Sequence, residues 1–171
     1  MGPKEKEVEK TGATHVPPGE GRSLWVLSEL VTYKTTSEQT GGAYSLFEVT
    51  TQPGNGVLPH VQHQEDESFY VLEGEYEFLD DAGGTMRVGA GSLIYVPRGN
   101  LHAHKNVGTT TGRMLLSQTP GGLYECFFEE VGEPTMGGSE PLVSEGLLQD
   151  MKRIIAIAVK YGIEIPPPPS W

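Results

Sequence analysis

Two short stretches of this chain combine histidines with glycine turns and apolar strands, and they limit what the chain can fold into. They are residues 54–74 (GNGVLPHVQHQEDESFYVLEG) and residues 91–106 (GSLIYVPRGNLHAHKN). Each has a run of β-forming residues bounded by glycine or proline, the pattern of a strand between turns. Strand side chains alternate between two faces, so His60 and Gln62 are predicted to share a face. We expect a hairpin to bring Glu67 opposite His60, which predicts a polar site.

The chain between residues 22 and 132 has the spacing of an all-β domain. Short runs of β-branched and aromatic residues are separated by turns roughly every 8 to 12 residues, which is typical of sandwiches and barrels. The 23 glycines and 13 prolines of the chain fit that number of tight turns. The predicted strands include residues 24–27, 30–33, 43–51 and 123–131.

Residues 144–162 have a different period and are predicted to form an amphipathic helix. The apolar residues at i, i+3, i+4 and i+7 spacing are Leu147, Leu148, Met151, Ile154, Ile155, Ala158 and Val159. Ser144 is a candidate N-cap and Gly162 a candidate C-terminal stop. The apolar stripe predicts docking on the β domain or on a partner. On the β domain the helix would either cover an open sheet edge or border the mouth of a cavity.

Five segments therefore make up the 171 residues. They are a flexible N-terminal segment (1–21), a β domain (22–132), a linker rich in Gly, Pro and Ser (133–143), the C-terminal helix (144–162) and a proline-rich tail (163–171).

Charge and composition exclude several partners. The net charge of −11 argues against nucleic acid and anionic membrane surfaces, which attract basic patches. The first residues are charged where a signal peptide would be apolar, and no apolar run approaches the roughly 18 residues of a membrane span. The single cysteine, Cys126, excludes an internal disulfide and is expected to be a small buried side chain. We expect a cytoplasmic protein that binds neither nucleic acid nor membrane.

The two stretches resemble the two sequence motifs of the cupin superfamily. The first motif, GxxxxxHxHxxxxExxxxxxG, is matched by Gly54, His60, Glu67 and Gly74, and the second, GxxxxxPxGxxHxxxN, by Gly91, Pro97, Gly99, His102 and Asn106. Gln62 stands where the first motif has its second histidine. The sequence segments FYVLEGEYEF, YVPRGNLHAHKN and LYECFFEEVG are most similar to those of small single-domain cupins related to quercetin 2,3-dioxygenase. The resemblance implies a jelly-roll β-barrel, here with a C-terminal helix, and a homodimer.

The resemblance also implies that His60, Gln62, Glu67 and His102 hold one divalent transition metal: Fe, Ni, Cu, Mn or Zn. Imidazole and carboxylate suit such metals. Gln62 leaves three alternatives, because its carbonyl oxygen is a neutral ligand. In the first, Gln62 coordinates the metal, as a Gln does in the similar type I phosphomannose isomerases. In the second, Gln62 does not touch the metal, which is held by the other three residues alone. In the third, the protein has lost its metal. His63 would substitute only if a bulge turned it inward, and we expect it to face outward.

The function implied by the resemblance is that of a metal-dependent dioxygenase acting on a small molecule in the barrel cavity. Glu67 would serve as ligand and proton acceptor. His104 shares the parity of His102 and is either a base or substrate contact, or a buried histidine with a satisfied hydrogen bond. Two alternatives remain open: a metal-dependent isomerase or lyase acting on a polar substrate, which Gln62 suggests, and a non-catalytic small-molecule-binding cupin with a degenerate site.

Overall fold

The computed structural model describes residues 12–135 and 147–167, and this part of the chain contains 12 strands and two helices. The strands are β1 (Ser23–Val26), β2 (Glu29–Thr35), β3 (Ser45–Thr51), β4 (Gly56–Gln62), β5 (Asp66–Glu73), β6 (Glu75–Leu79), β7 (Thr85–Gly89), β8 (Leu93–Val96), β9 (Leu101–Asn106), β10 (Gly112–Thr119), β11 (Glu133–Pro134) and β12 (Ile163–Glu164). The helices are α1 (Leu123–Val131) and α2 (Leu147–Lys160).

The strands form two antiparallel sheets in a jelly-roll arrangement, which confirms the predicted fold class. One sheet has the order β11-β1-β2-β3-β10-β5-β8 and the other β12-β4-β9-β6-β7. Strands distant in sequence pair with each other, as β3 does with β10 and β4 with β9. Among the described residues no ladder joins the two sheets, so the expected closure into a barrel is not found. The early strands β1 and β2 extend the chain's own sheet.

The core lies between the two sheets and follows from strand alternation. In β3 every second side chain, from Ser45 to Thr51, is buried, and the intervening ones are only partly buried. Phe47 at the centre is fully buried, and its ring meets the rings of Tyr33 and Phe128 edge-on at centroid distances of 5.0 and 5.2 Å. The aromatic contacts of Phe47 thus tie the larger sheet to helix α1.

Residues 123–131 were predicted as a strand, and that prediction is wrong: they form helix α1. The buried side chains are Tyr124, Phe127 and Phe128. Their i, i+3, i+4 spacing is that of one helix face, whereas a strand would bury alternate residues. The carboxylate of Glu65 accepts the first two backbone N–H groups of α1, and Gly132 follows its last turn. Such acceptors satisfy N–H groups that a helix start leaves free.

The predicted C-terminal helix is present as α2, with a different buried face. Ile157 and Ala158 are buried, whereas Ile155 and Val159, which the predicted stripe included, are exposed. Met151 lines the cavity described below, so α2 borders that cavity. Ser144, the predicted N-cap, lies outside the described residues. So do residues 1–11 of the N-terminal segment, residues 136–143 of the linker and residues 168–171 of the tail.

Three smaller expectations also change. Strand β11, at the start of the predicted linker, pairs with β1, and β12, at the start of the predicted tail, pairs with β4. Cys126 is exposed rather than buried, because it lies on the face of α1 opposite the aromatic side chains. Among the described residues, no helix has both the length and the hydropathy needed to cross a membrane.

Candidate metal centre

The histidines and the carboxylate expected at the site meet between the two sheets. Strand pairing places His60 of β4 opposite His102 of β9, with ring centroids 4.3 Å apart. Glu67 belongs to β5, in the other sheet. It therefore faces His60 across the interior and not across a hydrogen-bonded hairpin as predicted. One ligand atom from each of these three buried side chains lies within 4.8 Å of the others.

Each of the three side chains is held by a second contact. Nδ1 of His60 lies 2.9 Å from the carbonyl oxygen of Leu58, and Nδ1 of His102 lies 3.1 Å from that of Asn100. A carbonyl only accepts, so each Nδ1 carries the proton and each Nε2 is the nitrogen that can bind a metal. Gln118 donates from Nε2 to Oε1 of Glu67 at 2.9 Å. Contacts of this kind fix ligand orientation in metal sites.

Gln62, the fourth predicted ligand, has a side-chain oxygen without a partner in the described part of the chain. It is buried, and its parity in β4 is that of His60. Its amide nitrogen donates to Oε2 of Glu65 at 3.2 Å, while its Oε1 is buried and accepts no hydrogen bond from any described residue. A buried carbonyl oxygen without a partner is costly, and coordination would satisfy it. Glu65, which the sequence analysis did not single out, thus links Gln62 to the start of α1.

The charges of the three side chains depend on one another. Burial, reinforced by the neighbouring His102, lowers the pKa of His60 to about 4. Burial would also lower the pKa of His102, but Oε2 of Glu67 lies 2.7 Å from its Nε2, and this contact raises the pKa above the usual value. In Glu67, burial acts to raise the pKa, and His102 outweighs it and lowers the pKa. At neutral pH His60 is therefore a neutral ligand and Glu67 an anionic one.

The pKa shifts of these three side chains predict that metal binding releases a proton. Because a metal takes the place of the His102 proton, loading zinc near pH 6 should release about one proton per ion, and affinity should rise about tenfold per pH unit below the pKa of His102. Calorimetric titration in two buffers with different heats of ionisation measures the released protons. His60 contributes none in this range, since its pKa is about 4. Binding with no net proton release near pH 6 would contradict the assignment.

The other two histidines differ in exposure. His63 faces outward, with its Nε2 2.9 Å from a carboxylate oxygen of the exposed Glu164, so the expected surface position is confirmed. His104 is buried, and its Nε2 lies 2.9 Å from Oε1 of Glu29. It also lines the cavity, and its Nδ1 has no hydrogen-bond partner among the described residues, so a role as base or substrate contact stays a prediction. Glu29 was missed by the sequence analysis, since nothing in its neighbourhood along the chain marks it as buried.

Tyr124 is a further residue that sequence reasoning missed. Its hydroxyl lies 3.1 Å from Nε2 of His60, the nitrogen available to a metal. The side chain comes from the first turn of α1. Because residues 123–131 were predicted as a strand, the helical spacing of their aromatic side chains was overlooked. The i, i+3, i+4 spacing of Tyr124, Phe127 and Phe128 is the signal that could have found it.

A cavity of about 60 Å³ opens onto the site. It is lined by Val26, Leu27, Glu29, Val31, Val49, Val57, Leu58, His60, Glu67, Phe69, His104, Leu116, Tyr124, Phe127, Phe128, Met151, Ile163 and Ile165. Leu46 is not among them because it points to the outer face of β3. No Lys or Arg of the described residues lines the cavity. A few polar groups converging in a largely apolar pocket are typical of small-molecule sites.

Comparisons with known proteins agree with this architecture. A family model described as the cupin domain matches residues 47–117. Quercetin 2,3-dioxygenase from Bacillus subtilis (strain 168) is 26% identical over 144 residues, covering 83% of this chain and 42% of that protein. The chain thus spans less than half the length of that relative.

Two solved structures share the fold. A predicted oxalate decarboxylase from Thermotoga maritima superposes with a TM-score of 0.57 at 22% identity, covering 63% of this chain and 99% of that chain. Ectoine synthase from P. lautus superposes with a TM-score of 0.57 at 16% identity, covering 77% of this chain and 97% of that chain. These two proteins differ in named activity, so the shared fold leaves the reaction open.

Proposed function

The chain belongs to the cupin superfamily, and from this premise we propose that it is a metal-dependent dioxygenase acting on a small, enolisable and mostly apolar molecule. His60, Glu67 and His102, with Gln62 as an oxygen ligand, would hold one divalent transition metal. The observation that carries the proposal is the buried His60/Glu67/His102 cluster, of which His60 and Glu67 line an apolar cavity. The likeness to quercetin 2,3-dioxygenase supports the same class of reaction.

The donor set fits such a metal. Two imidazoles and one carboxylate are the set that leaves coordination positions open in oxygen-activating iron sites. When bound, the metal supplies a Lewis acid that lowers the pKa of a substrate enol, and open positions for dioxygen. Oε1 of Glu67 is held by Gln118, whereas its Oε2 lies toward His102 and is the oxygen placed to take a substrate proton.

His104 and Tyr124 would contact the substrate from the cavity wall. Both side chains line the cavity, and the Tyr124 hydroxyl reaches Nε2 of His60. Aromatic and aliphatic walls such as Phe69 and Leu116 exclude water from an enolate and favour a flat apolar body. An isomerase or lyase acting on a polar substrate has less support, because the described cavity wall is mostly apolar and holds no Lys or Arg.

Oxygen uptake tests the proposed reaction. Full-length protein would be loaded in turn with iron, nickel, copper and manganese, its metal content measured by mass spectrometry, and its oxygen consumption followed with flavonols and 1,3-diketones. We expect uptake with at least one metal and one enolisable substrate, and no uptake by a His102→Ala variant. Protein that carries a full complement of metal and consumes no oxygen with any of them would overturn the proposal.

The Gln62→His variant separates the enzyme from the non-catalytic alternative. If wild-type protein takes up no metal and Gln62→His does, the chain is a binding module with a degenerate site. The homodimer and the cytoplasmic location expected from the sequence stay predictions.

A further inference from the structure

A second polar group lies in the cavity, apart from the metal ligands. Glu29 begins strand β2, immediately after the two-residue turn that follows β1. Its side chain is only 5% exposed and lines the same cavity as His60 and Glu67. A carboxylate in such surroundings is expected to be fully paired, because burying unpaired charge is costly.

Both contacts of the Glu29 carboxylate are made to the same oxygen. Thr51 donates from its hydroxyl to Oε1 at 2.6 Å, and Nε2 of His104 lies 2.9 Å from the same oxygen. No residue in the described part of the chain donates to Oε2. The two protein contacts therefore fix the carboxylate in place and leave one oxygen as a free acceptor in a wall of the cavity.

Glu29 reaches the cavity beside His104 and not beside the proposed ligand His102. His102 and His104 lie two residues apart on β9 with the same parity, and two strand residues span about 7 Å. The ring of Phe69, on β5 of the other sheet, contacts both, with its centroid 6.1 Å from that of His102 and 5.5 Å from that of His104. A molecule bound at the ligand cluster would thus cross an apolar surface before it reaches Glu29.

We propose that Glu29 determines substrate specificity by accepting a hydrogen bond from a hydroxyl group at the end of the substrate remote from the metal. The same carboxylate repels a carboxylate or phosphate in that position. The substrate class is then a compact, mostly apolar ring system with a metal-chelating oxygen pair at one end and a neutral hydroxyl at the other. This inference rests on the proposed function, since it assumes that the substrate chelates at His60, Glu67 and His102.

Three hydroxypyranones with the same chelating end test this selectivity. Allomaltol, kojic acid and comenic acid carry a methyl, a hydroxymethyl and a carboxylate group at the same ring position. Zinc-loaded full-length protein would be titrated with each by calorimetry, because zinc has no redox chemistry and turnover cannot interfere. We expect kojic acid to bind about tenfold more tightly than allomaltol, and comenic acid to bind at least about tenfold more weakly than kojic acid.

The Glu29→Gln variant should remove the discrimination against the carboxylate. Comenic acid should gain about tenfold relative to kojic acid, since the like charge is gone, whereas the hydroxyl of kojic acid can still accept a hydrogen bond from the glutamine amide. Zinc content should be unchanged, because Glu29 is not a ligand. Glu48→Gln is the matched control: Glu48 points to the outer face of β3, where it pairs with Lys34 and Arg113, and the order of the three affinities should persist.

The outcomes separate the two proposals. If none of the three compounds binds the zinc-loaded wild type, the chelating site itself is wrong and the proposed function fails with it. If all three bind the wild type equally, or if Glu29→Gln keeps the wild-type discrimination between kojic acid and comenic acid, the specificity role of Glu29 fails and the metal site stands. The wild-type comparison needs no variant, so the inference remains testable even if Glu29→Gln folds poorly.

Discussion

Replacing His102 with alanine should abolish stable metal binding. His102 lies at the centre of the site: its Nε2 is 2.7 Å from Glu67, its ring is 4.3 Å from that of His60, and its side chain is buried. Without the imidazole, only His60 and Glu67 remain of the cluster. We expect metal affinity to fall by at least about 100-fold, because the loss of a ligand exceeds the 10- to 100-fold effect of losing a residue that merely supports one.

Metal content and thermal stability measure that loss. Wild-type protein should carry about one ion per chain and melt at a higher temperature with added metal, since a ligand that binds only the folded state stabilises it. His102→Ala should show neither property. His63→Ala is the control, because it removes a nearby histidine that pairs only with Glu164 on the surface. If His102→Ala retained a full complement of metal, the cluster would not be the metal site.

Replacing Phe47 with alanine should strongly lower the free energy of unfolding. Phe47 is fully buried, and its ring packs against Tyr33 of β2 and Phe128 of α1. Truncation of a buried phenylalanine costs about 3–5 kcal/mol, through lost burial and the cavity left behind. For a chain of this size that corresponds to a fall in Tm of roughly 10 °C.

Urea denaturation monitored by circular dichroism measures this cost. Leu46→Ala is the matched control, because Leu46 is the adjacent residue on β3 and is only partly buried on the opposite face. It should cost less than about half as much, since less apolar area is lost from contact. Equal costs at the two positions would mean that the two faces of β3 are not buried as described.

The resemblance to the two cupin motifs was sufficient to identify the candidate ligand cluster. It singled out His60, Glu67 and His102, and the structure brings them together. The sheet face of each side chain could be inferred because strand side chains alternate with a period of two. The outward position of His63, one residue beyond Gln62, follows from the same alternation.

The helix after β10 was not predictable by the same reasoning. Aromatic residues favour strands, and residues 123–131 are rich in them. What makes this segment helical is tertiary: the buried face of α1 packs on the core, and the carboxylate of Glu65, 58 residues away from Leu123, accepts its first N–H groups. Packing of this kind overrides intrinsic propensity.

The sequence by itself determined the all-β class, the candidate ligand residues through their motif positions, and the strand face that His60 shares with Gln62, because side-chain alternation along a strand is local. Only the tertiary structure decided that His60 and Glu67 face each other across two sheets, that Tyr124 reaches the site, and that Glu29 lies in the cavity wall with Thr51 and His104 on one oxygen. These contacts join residues separated by as many as 75 positions. No local pattern encodes them, since they arise only when the two sheets pack together.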